Sequence, residues 1–197
     1  MSSTNRSTSR DEHVADYYVT PIDKIKEFLK EVVKYEPDIF SEYILDPCAG
    51  GDSKHPMSYP EALKQIGVNN DDYITTIDIR KDSLAEFKLD YLSLDCPKGQ
   101  FKTIITNPPF AIAKDIIIKA LNDVKDNGFV IMLLRLNYMG GQLREDLWKS
   151  QMPKYIFVHN RRMSFTDDGK TDSIEYAHFV WQKGYYPEFS KTKIIYS

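Results

Sequence analysis

Short apolar runs separated by polar segments dominate the pattern of this chain, and most of the runs have the length of a β-strand. The run 129–136 (FVIMLLRL) is continuously apolar, which is typical of a strand covered on both faces of a parallel sheet. The predicted strands, rich in β-branched or aromatic residues, are 43–45, 73–79, 89–92 with its loop, 101–106, 129–136, 155–159 and 176–182.

Four segments between these runs have the pattern of helices. Residues 111–124 (AIAKDIIIKALNDV) place an apolar stripe at helical spacing, and 60–67 (PEALKQIG) begins with Pro and ends with Gly. Shorter helices are predicted at 82–87 and 142–150. Strands that alternate with helices predict an α/β fold with a mostly parallel, doubly wound sheet. Because no full helix fits between the last two strands, we expect an antiparallel C-terminal hairpin at one edge of the sheet.

Composition places the chain among soluble globular proteins. It has 197 residues, of which 42% are hydrophobic and 28% charged, enough for one domain with its own core. We expect a flexible N-terminal tail at 1–15 and a single domain at 16–197. The tail lacks the apolar segment of a signal peptide, and no run is long enough to span a bilayer. Two cysteines give no disulfide framework and no metal-binding spacing, which suits a cytoplasmic protein without a metal.

Four predicted strands each lead to a distinctive polar residue. Asp46, Asp78 and Asp90 close the first three strands, and Asn107 closes the fourth. Ligands of open α/β sheets bind outside the carboxyl ends of the strands. Taken alone, each aspartate is as compatible with a turn or a helix cap as with a ligand-binding role. Four such residues at one edge together predict a ligand site.

The segment Asn107-Pro108-Pro109-Phe110 predicts a rigid acceptor for one planar amino group. The two prolines fix φ and remove two backbone donors. The Asn107 side-chain oxygen and the Pro108 carbonyl are then available to accept both N–H bonds of a substrate –NH₂. The Phe110 ring offers a flat face for the ring that carries this amine. These four residues are the predicted catalytic corner.

The segment 46–52 (DPCAGGD) predicts a strand that leads into a glycine turn, where the backbone can approach a ligand closely. It lacks the G-x-G-x-x-G pattern of dinucleotide-binding proteins and the Lys-Ser/Thr of a phosphate-binding loop. An adenosine-type ligand without phosphates, held through its ribose and base, is the remaining interpretation.

Taken in order, these motifs resemble those of S-adenosylmethionine-dependent amino-methyltransferases. The segment 16–21 (DYYVTP) is similar to the N-terminal cofactor motif of DNA adenine-N6 methyltransferases, and its place ahead of the glycine loop and the catalytic corner resembles their γ group. The segments 161–172 and 176–181 look like small phage-encoded members. The resemblance covers about residues 16–182 and implies a Rossmann-like methyltransferase fold in a bacterial or phage-infected cell.

The resemblance implies S-adenosyl-L-methionine as the cofactor. Thr20 and Pro21 would flank its methionine end, and Asp46 with Gly50 would hold the amino-acid part. Asp52 would pair with the α-amino group. The implied ribose ligand is Asp78, the implied adenine ligand is Asp90, and the further residues of the implied pocket are Tyr17, Tyr18, Pro47, Cys48, Ala49, Ile79, Tyr91 and Asn107.

The resemblance also implies DNA as the substrate, with the target base flipped out of the duplex. Phe110 would stack on one face of that base, and Tyr138 or Phe165 on the other. Arg161, Arg162 and Lys170 are the predicted phosphate contacts. The net charge of −3 is divided unevenly, because the part from residue 153 onward has seven Lys/Arg and five Asp/Glu. That balance permits a phosphate-binding face without demanding one.

Two departures from the family pattern affect specificity. The glycine loop ends Gly51-Asp52 where many relatives have a small residue followed by glycine, and little sequence follows Trp181 for target recognition. Loops, a protein partner or a dimer would then supply any sequence specificity. The same corner also serves methylation of RNA adenine or guanine, cytosine N4 and protein glutamine. A non-catalytic relative that binds nucleic acid is a third interpretation. The N-terminal motif favours adenine in DNA, with RNA left open.

Overall fold

The computed structural model describes residues 18–68, 73–166, 169, 171 and 173–196. The predicted tail 1–15, Tyr17 and Lys170 therefore lie outside the described residues. Within the described part, the strands are β1 (Ile44–Asp46), β2 (Ile74–Asp78), β3 (Phe87–Lys88), β4 (Thr103–Thr106), β5 (Phe129–Arg135), β6 (Tyr155–His159), β7 (Tyr176–Gln182) and β8 (Lys191–Ile195).

The strands pair in the order β3-β2-β1-β4-β5-β7-β6-β8. Strands β1 to β5 pair in parallel, and β7 is antiparallel to both β5 and β6. β8 in turn runs parallel to β6. The sheet is therefore mostly parallel, with β7 as its reversed strand. This confirms the predicted doubly wound α/β class.

The C-terminal edge differs from the prediction in one respect. β6 and β7 pair antiparallel as expected, but β7 lies between β5 and β6, and the unpredicted β8 forms the edge. Three of the five residues of β8, Lys191–Lys193 (KTK), are exposed. Charged side chains are common on edge strands because they discourage pairing with further chains. Charged residues also break up the apolar run by which a strand is predicted from sequence.

The helices cover both faces of the sheet. They are α1 (Ile22–Val32), α2 (Ser58–Gln65), α3 (Ala113–Asp123) and α4 (Glu145–Ser150), with 3₁₀ turns at Tyr91–Ser93, Leu136–Met139 and Gln142–Arg144. α1 and α2 bury apolar residues in one cluster, and α3 buries its own in another. β5 contributes to both clusters, which accounts for its continuously apolar sequence.

Three helix and strand predictions need correction. α1 was not predicted, although its buried residues Ile25, Phe28, Leu29 and Val32 follow helical spacing. The helix predicted at 82–87 is absent from this described stretch, because Ser83 instead bonds the Gly50 carbonyl and the Ala85 N–H. The third strand lies at Phe87–Lys88, ahead of the segment 89–92 that was predicted as a strand, and half of that segment belongs to the 3₁₀ turn Tyr91–Ser93.

No helix among the described residues combines the length and the apolar character needed to cross a membrane.

Candidate active site

The polar residues at the strand ends meet at one edge of the sheet. β2, β1 and β4 are parallel neighbours, so Asp78, Asp46 and Asn107 lie at adjacent carboxyl ends. A cavity opens at this edge. All four residues of the predicted catalytic corner line it. So do the following predicted cofactor residues: Tyr18, Thr20, Pro47, Cys48, Ala49, Gly50, Asp78, Ile79, Asp90, Tyr91 and Asn107.

The catalytic corner presents two acceptor atoms. Asn107 donates from Nδ2 to Thr20 Oγ1 at 3.0 Å, and Thr20 is 3% exposed, so the amide is anchored from the protein side. Its Oδ1 accepts no hydrogen bond from the described residues, and neither does the Pro108 carbonyl. The next carbonyl, Pro109 O, is occupied by the Ile112 N–H at 3.1 Å, which begins the turn into α3. Two consecutive residues that line the cavity, Asn107 and Pro108, therefore each keep an oxygen without a donor among the described residues.

Asp78 shapes the glycine loop. Its Oδ2 accepts the Gly50 N–H at 2.8 Å and its Oδ1 accepts the Arg80 N–H at 2.8 Å. Gly50 and Gly51 have φ of 65° and 75°, a region that glycine adopts readily. A Cβ added to Gly51 would lie 2.8 Å from Met57 Cγ. The loop conformation thus depends both on glycine and on this carboxylate.

Asp46 is the most enclosed acid of the site, with 1% of its surface exposed. It is not among the residues that line the cavity. Its Oδ1 accepts the Cys48 N–H at 3.2 Å, while Oδ2 has no hydrogen-bond partner among the described residues. Burial raises the pKa of Asp46 to about 7, against the opposing effects of the Thr106 hydroxyl and the Cys48 N–H. An enclosed carboxylate oxygen of this kind fits a cationic group bound nearby.

Asp90 and Tyr91 lie at the far side of the cavity. The Asp90 carboxylate is exposed and caps the 3₁₀ turn, with Oδ1 accepting from the Leu92 N–H at 3.0 Å and Oδ2 from the Ser93 hydroxyl at 2.8 Å. Tyr91 is buried and donates its hydroxyl to Asp123 at 2.9 Å. Burial raises the pKa of Tyr91 well above its ordinary value. This side therefore presents a solvated acid beside a neutral ring.

Two other predicted cofactor residues are not brought to the cavity lining. Pro21 precedes α1, where its carbonyl accepts the Lys24 and Ile25 N–H groups. Asp52 accepts the Lys54 N–H at 2.7 Å and the His55 N–H at 2.9 Å, so its carboxylate stabilises its own loop. The backbone N–H of Lys54 is the main reason that the pKa of Asp52 is lowered.

The predicted nucleic-acid residues fall into separate places. Phe165 contacts Tyr18 and Tyr176, with ring centroids 5.9 and 4.8 Å away. Arg161 and Arg162 are exposed, and Arg162 lies 3.6 Å from a Glu175 oxygen. Phe165 is therefore next to the cavity, because Tyr18 lines it.

Tyr138 is not brought to the cavity. It is 7% exposed, packs edge-on against Trp148 and lies beneath the Arg144 guanidinium. Burial raises its pKa to about 12. Its position gives no support to the predicted stacking on a target base, because the ring belongs to the core cluster that α3 also joins.

Several residues at the cavity were missed by sequence reasoning. Ser58 and Tyr59 line it because α2 begins two residues before the predicted helix. The remaining unpredicted residues of the lining are Arg80, Leu89, Leu92, Ala111, Ile112 and Ile116. Arg135, at the end of β5, is not part of the lining but lies over the lining residue Phe110, with Cζ 4.6 Å from the ring centroid.

The described residues bring together no group of three or more His, Cys, Asp or Glu side chains that could hold a metal ion.

Solved structures of methyltransferases share this fold at low sequence identity. One from Listeria monocytogenes, assigned as a class I S-adenosylmethionine-dependent methyltransferase, has a TM-score of 0.61 and 13% identity over 91% of this chain and 66% of its own. A Pyrococcus horikoshii protein assigned as an RNA methyltransferase has a TM-score of 0.63 and 14% identity, with coverage of 89% and 91%. A modification subunit, assigned to a type I restriction enzyme of Vibrio vulnificus, has a TM-score of 0.61 and 14% identity. The match covers 95% of this chain and 50% of the Vibrio chain.

The likeness establishes that the chain has the Rossmann-like methyltransferase fold. The chain spans less than two thirds of the length of the Listeria and Vibrio proteins. No family model matches the sequence, and no curated protein does so.

Proposed function

We propose that this protein transfers a methyl group from S-adenosylmethionine to the exocyclic N6 amine of adenine in DNA. The observation that carries the proposal is the pair of available oxygens, Asn107 Oδ1 and the Pro108 carbonyl, next to the Phe110 ring. Two acceptors side by side match the two N–H bonds of an amino group on a planar ring. The corner is therefore suited to hold an –NH₂ group in position for methylation.

The two acceptors account for activation of a weak nucleophile. The lone pair of an aromatic amine is delocalised into its ring, and hydrogen bonds from both N–H groups favour a pyramidal nitrogen. The same oxygens stabilise the positive charge that develops on nitrogen as the N–C bond forms. The proton that nitrogen then loses is acidic enough to pass to water, so no general base is required. Alignment by the rigid proline corner supplies a further part of the acceleration.

The residues around the cavity fit the proposed cofactor. The enclosed, unpaired Oδ2 of Asp46 suits the charge of an α-ammonium group, and the Gly50 backbone allows close approach. Asp90 presents its exposed carboxylate to an exocyclic amine. Asp78 would act at the ribose while it also holds the glycine loop. When bound, the cofactor supplies a methyl group activated on a sulfonium.

Adenine in DNA is preferred over the other planar amines for two reasons. The N-terminal motif is similar to that of DNA adenine-N6 methyltransferases, and its residues Tyr18 and Thr20 line the cavity. The ring of Phe165 adjoins Tyr18 and gives a second aromatic side chain near Phe110. Two of the structural neighbours are also assigned to nucleic-acid modification. RNA adenine is the second candidate, favoured by the high mutual coverage with the Pyrococcus protein.

The test is transfer of labelled methyl groups from S-adenosylmethionine to DNA, RNA or unfolded protein, offered separately. We expect label in DNA, and an Asn107→Ala rate lower by about 100- to 1000-fold, the cost of removing one preorganised group at a charged transition state. Asn122→Ala is the matched control, because Asn122 is an exposed asparagine on α3. Label confined to protein, or an unchanged rate in Asn107→Ala, would overturn the proposal.

A further inference from the structure

Arg135 is a cation beside the catalytic corner without an acidic partner among the described residues. It ends β5, which is paired with β4, the strand that leads into the catalytic corner. Its guanidinium lies over the Phe110 ring, with Cζ 4.6 Å from the centroid. No hydrogen bond or ion pair connects it to the described residues, and its Nε is enclosed without a partner. Leaving a buried donor unpaired costs free energy, which argues that a ligand uses this group.

The contact with Phe110 leaves the donors of Arg135 available. A cation–π contact is made by the charge of the guanidinium, and its planar set of N–H donors can still bind an oxyanion. The side chain is only partly buried, and Nε alone among its nitrogens is enclosed, so solvent reaches the outer nitrogens. Two parallel N–H bonds in one plane match the oxygens of a phosphate. The Phe110 ring itself lines the cavity, and its centroid lies 6.2 Å from that of the Tyr176 ring.

We propose that Arg135 binds a backbone phosphate of the substrate strand beside the nucleotide whose base stacks on Phe110. This inference rests on the proposed function and deepens it, because it requires a polyanionic substrate. A glutamine side chain in a protein carries no charge that would occupy the site. Arg161 and Arg162 extend the positive charge along the neighbouring loop, although Arg162 is partly offset by Glu175. Arg135 differs from both because it adjoins the catalytic corner directly.

The test is binding of fluorescently labelled DNA of mixed sequence, single- and double-stranded, measured over a range of salt concentrations. Arg135→Met keeps the approximate length of the side chain and removes the charge. Arg135→Lys keeps the charge but lacks the paired N–H donors of the guanidinium. Lys191→Met is the matched control, since it removes one exposed cation near a ring, Tyr155, at the edge strand β8. Unfolding temperatures and affinities for S-adenosylmethionine are measured for each variant.

We expect Arg135→Met to bind DNA about tenfold more weakly, the cost of one hydrogen-bonded charge. The slope of log affinity against log salt should fall by about 0.9 for duplex or 0.7 for single strands, the value of one phosphate contact. Arg135→Lys should retain the slope with lower affinity, and Lys191→Met should match the wild type. Affinity for S-adenosylmethionine should be unchanged throughout.

An Arg135→Met protein with wild-type affinity and salt slope would overturn the phosphate assignment. So would a Lys191→Met protein with the same losses, because the effect would then be one of net charge. Failure of the proposed function is distinguishable from either result. It would appear as a wild-type protein that binds DNA but transfers no methyl group to it, and the salt slope of Arg135→Met would still decide the phosphate contact.

Discussion

Replacement of Asp46 by asparagine should stabilise the protein at high pH more than at low pH. Burial raises the pKa of Asp46 from an ordinary value of 3.8 to about 7. A carboxyl whose folded pKa is raised favours folding when protonated, so stability is lost as pH rises from about 4 through 7. Between about pH 5 and pH 8 this loss amounts to about 3 kcal/mol in the free energy of unfolding.

The asparagine variant cannot ionise, so it should escape that loss. Its Oδ1 can still accept the Cys48 N–H, and its amide can donate to the Thr106 hydroxyl, the group that partly offsets the rise in the pKa of Asp46. The assay is urea unfolding of the cofactor-free protein near pH 5 and pH 8. The difference between the two conditions cancels any pH-independent cost of the substitution.

Asp146→Asn is the matched control for this experiment. The pKa of Asp146 is lowered, chiefly by its hydrogen bond with Lys114, so its carboxyl stays ionised at both pH values and the variant should show no pH-dependent difference. If the effect of Asp46→Asn on stability is the same at both pH values, the pKa of Asp46 is not raised and the reasoning fails. Weaker binding of S-adenosylmethionine by the same variant is expected if Asp46 neutralises the α-ammonium group.

Three further predictions concern neighbouring groups. Thr20→Val should lower kcat severalfold and Thr20→Ser should not, because the hydroxyl is the group that anchors the Asn107 amide. The measurement is steady-state kinetics at saturating cofactor, and equal kcat values for the two variants would refute the prediction. Asp78→Ala should lower the free energy of unfolding by about 3 kcal/mol, since the buried Gly50 N–H loses its acceptor. Burial lowers the pKa of His159 to about 4, so stability should fall as pH drops below about 6.5, and NMR titration of the ring should show no protonation near neutrality.

The parts that were predicted from the sequence are those set by local rules. A strand must end at Pro108, and an aspartate or asparagine directly after a buried strand must reach the carboxyl edge of the sheet. The sheet class alone places Asp78, Asp46 and Asn107 at one edge, and the strand order β2-β1-β4, which was not predicted, makes them neighbours. Predicting the edge at which the cavity lies therefore required only the strand ends and the class of sheet.

The parts that were missed depend on contacts between distant segments. β8 is a strand because β6 pairs with it, and its exposed lysines hide it from a search for apolar runs. Arg135 and Phe110 meet because β4 and β5 are adjacent, which no local pattern records. α1 is different, since its apolar spacing was readable and was overlooked. Tyr138 was one of two residues expected to stack on the target base, and the 3₁₀ turn Leu136–Met139 places it in the core.

The most direct test of the account is mass spectrometry of nucleosides from DNA and RNA incubated with the protein and isotopically labelled S-adenosylmethionine. This measurement identifies the polymer, the base and the methylated atom together. The account predicts labelled N6-methyl-deoxyadenosine with the wild-type protein and its near absence with Asn107→Ala. Label on a ring carbon, on a sugar or on no nucleoside at all would contradict the proposal that Asn107 and Pro108 bind an exocyclic amine.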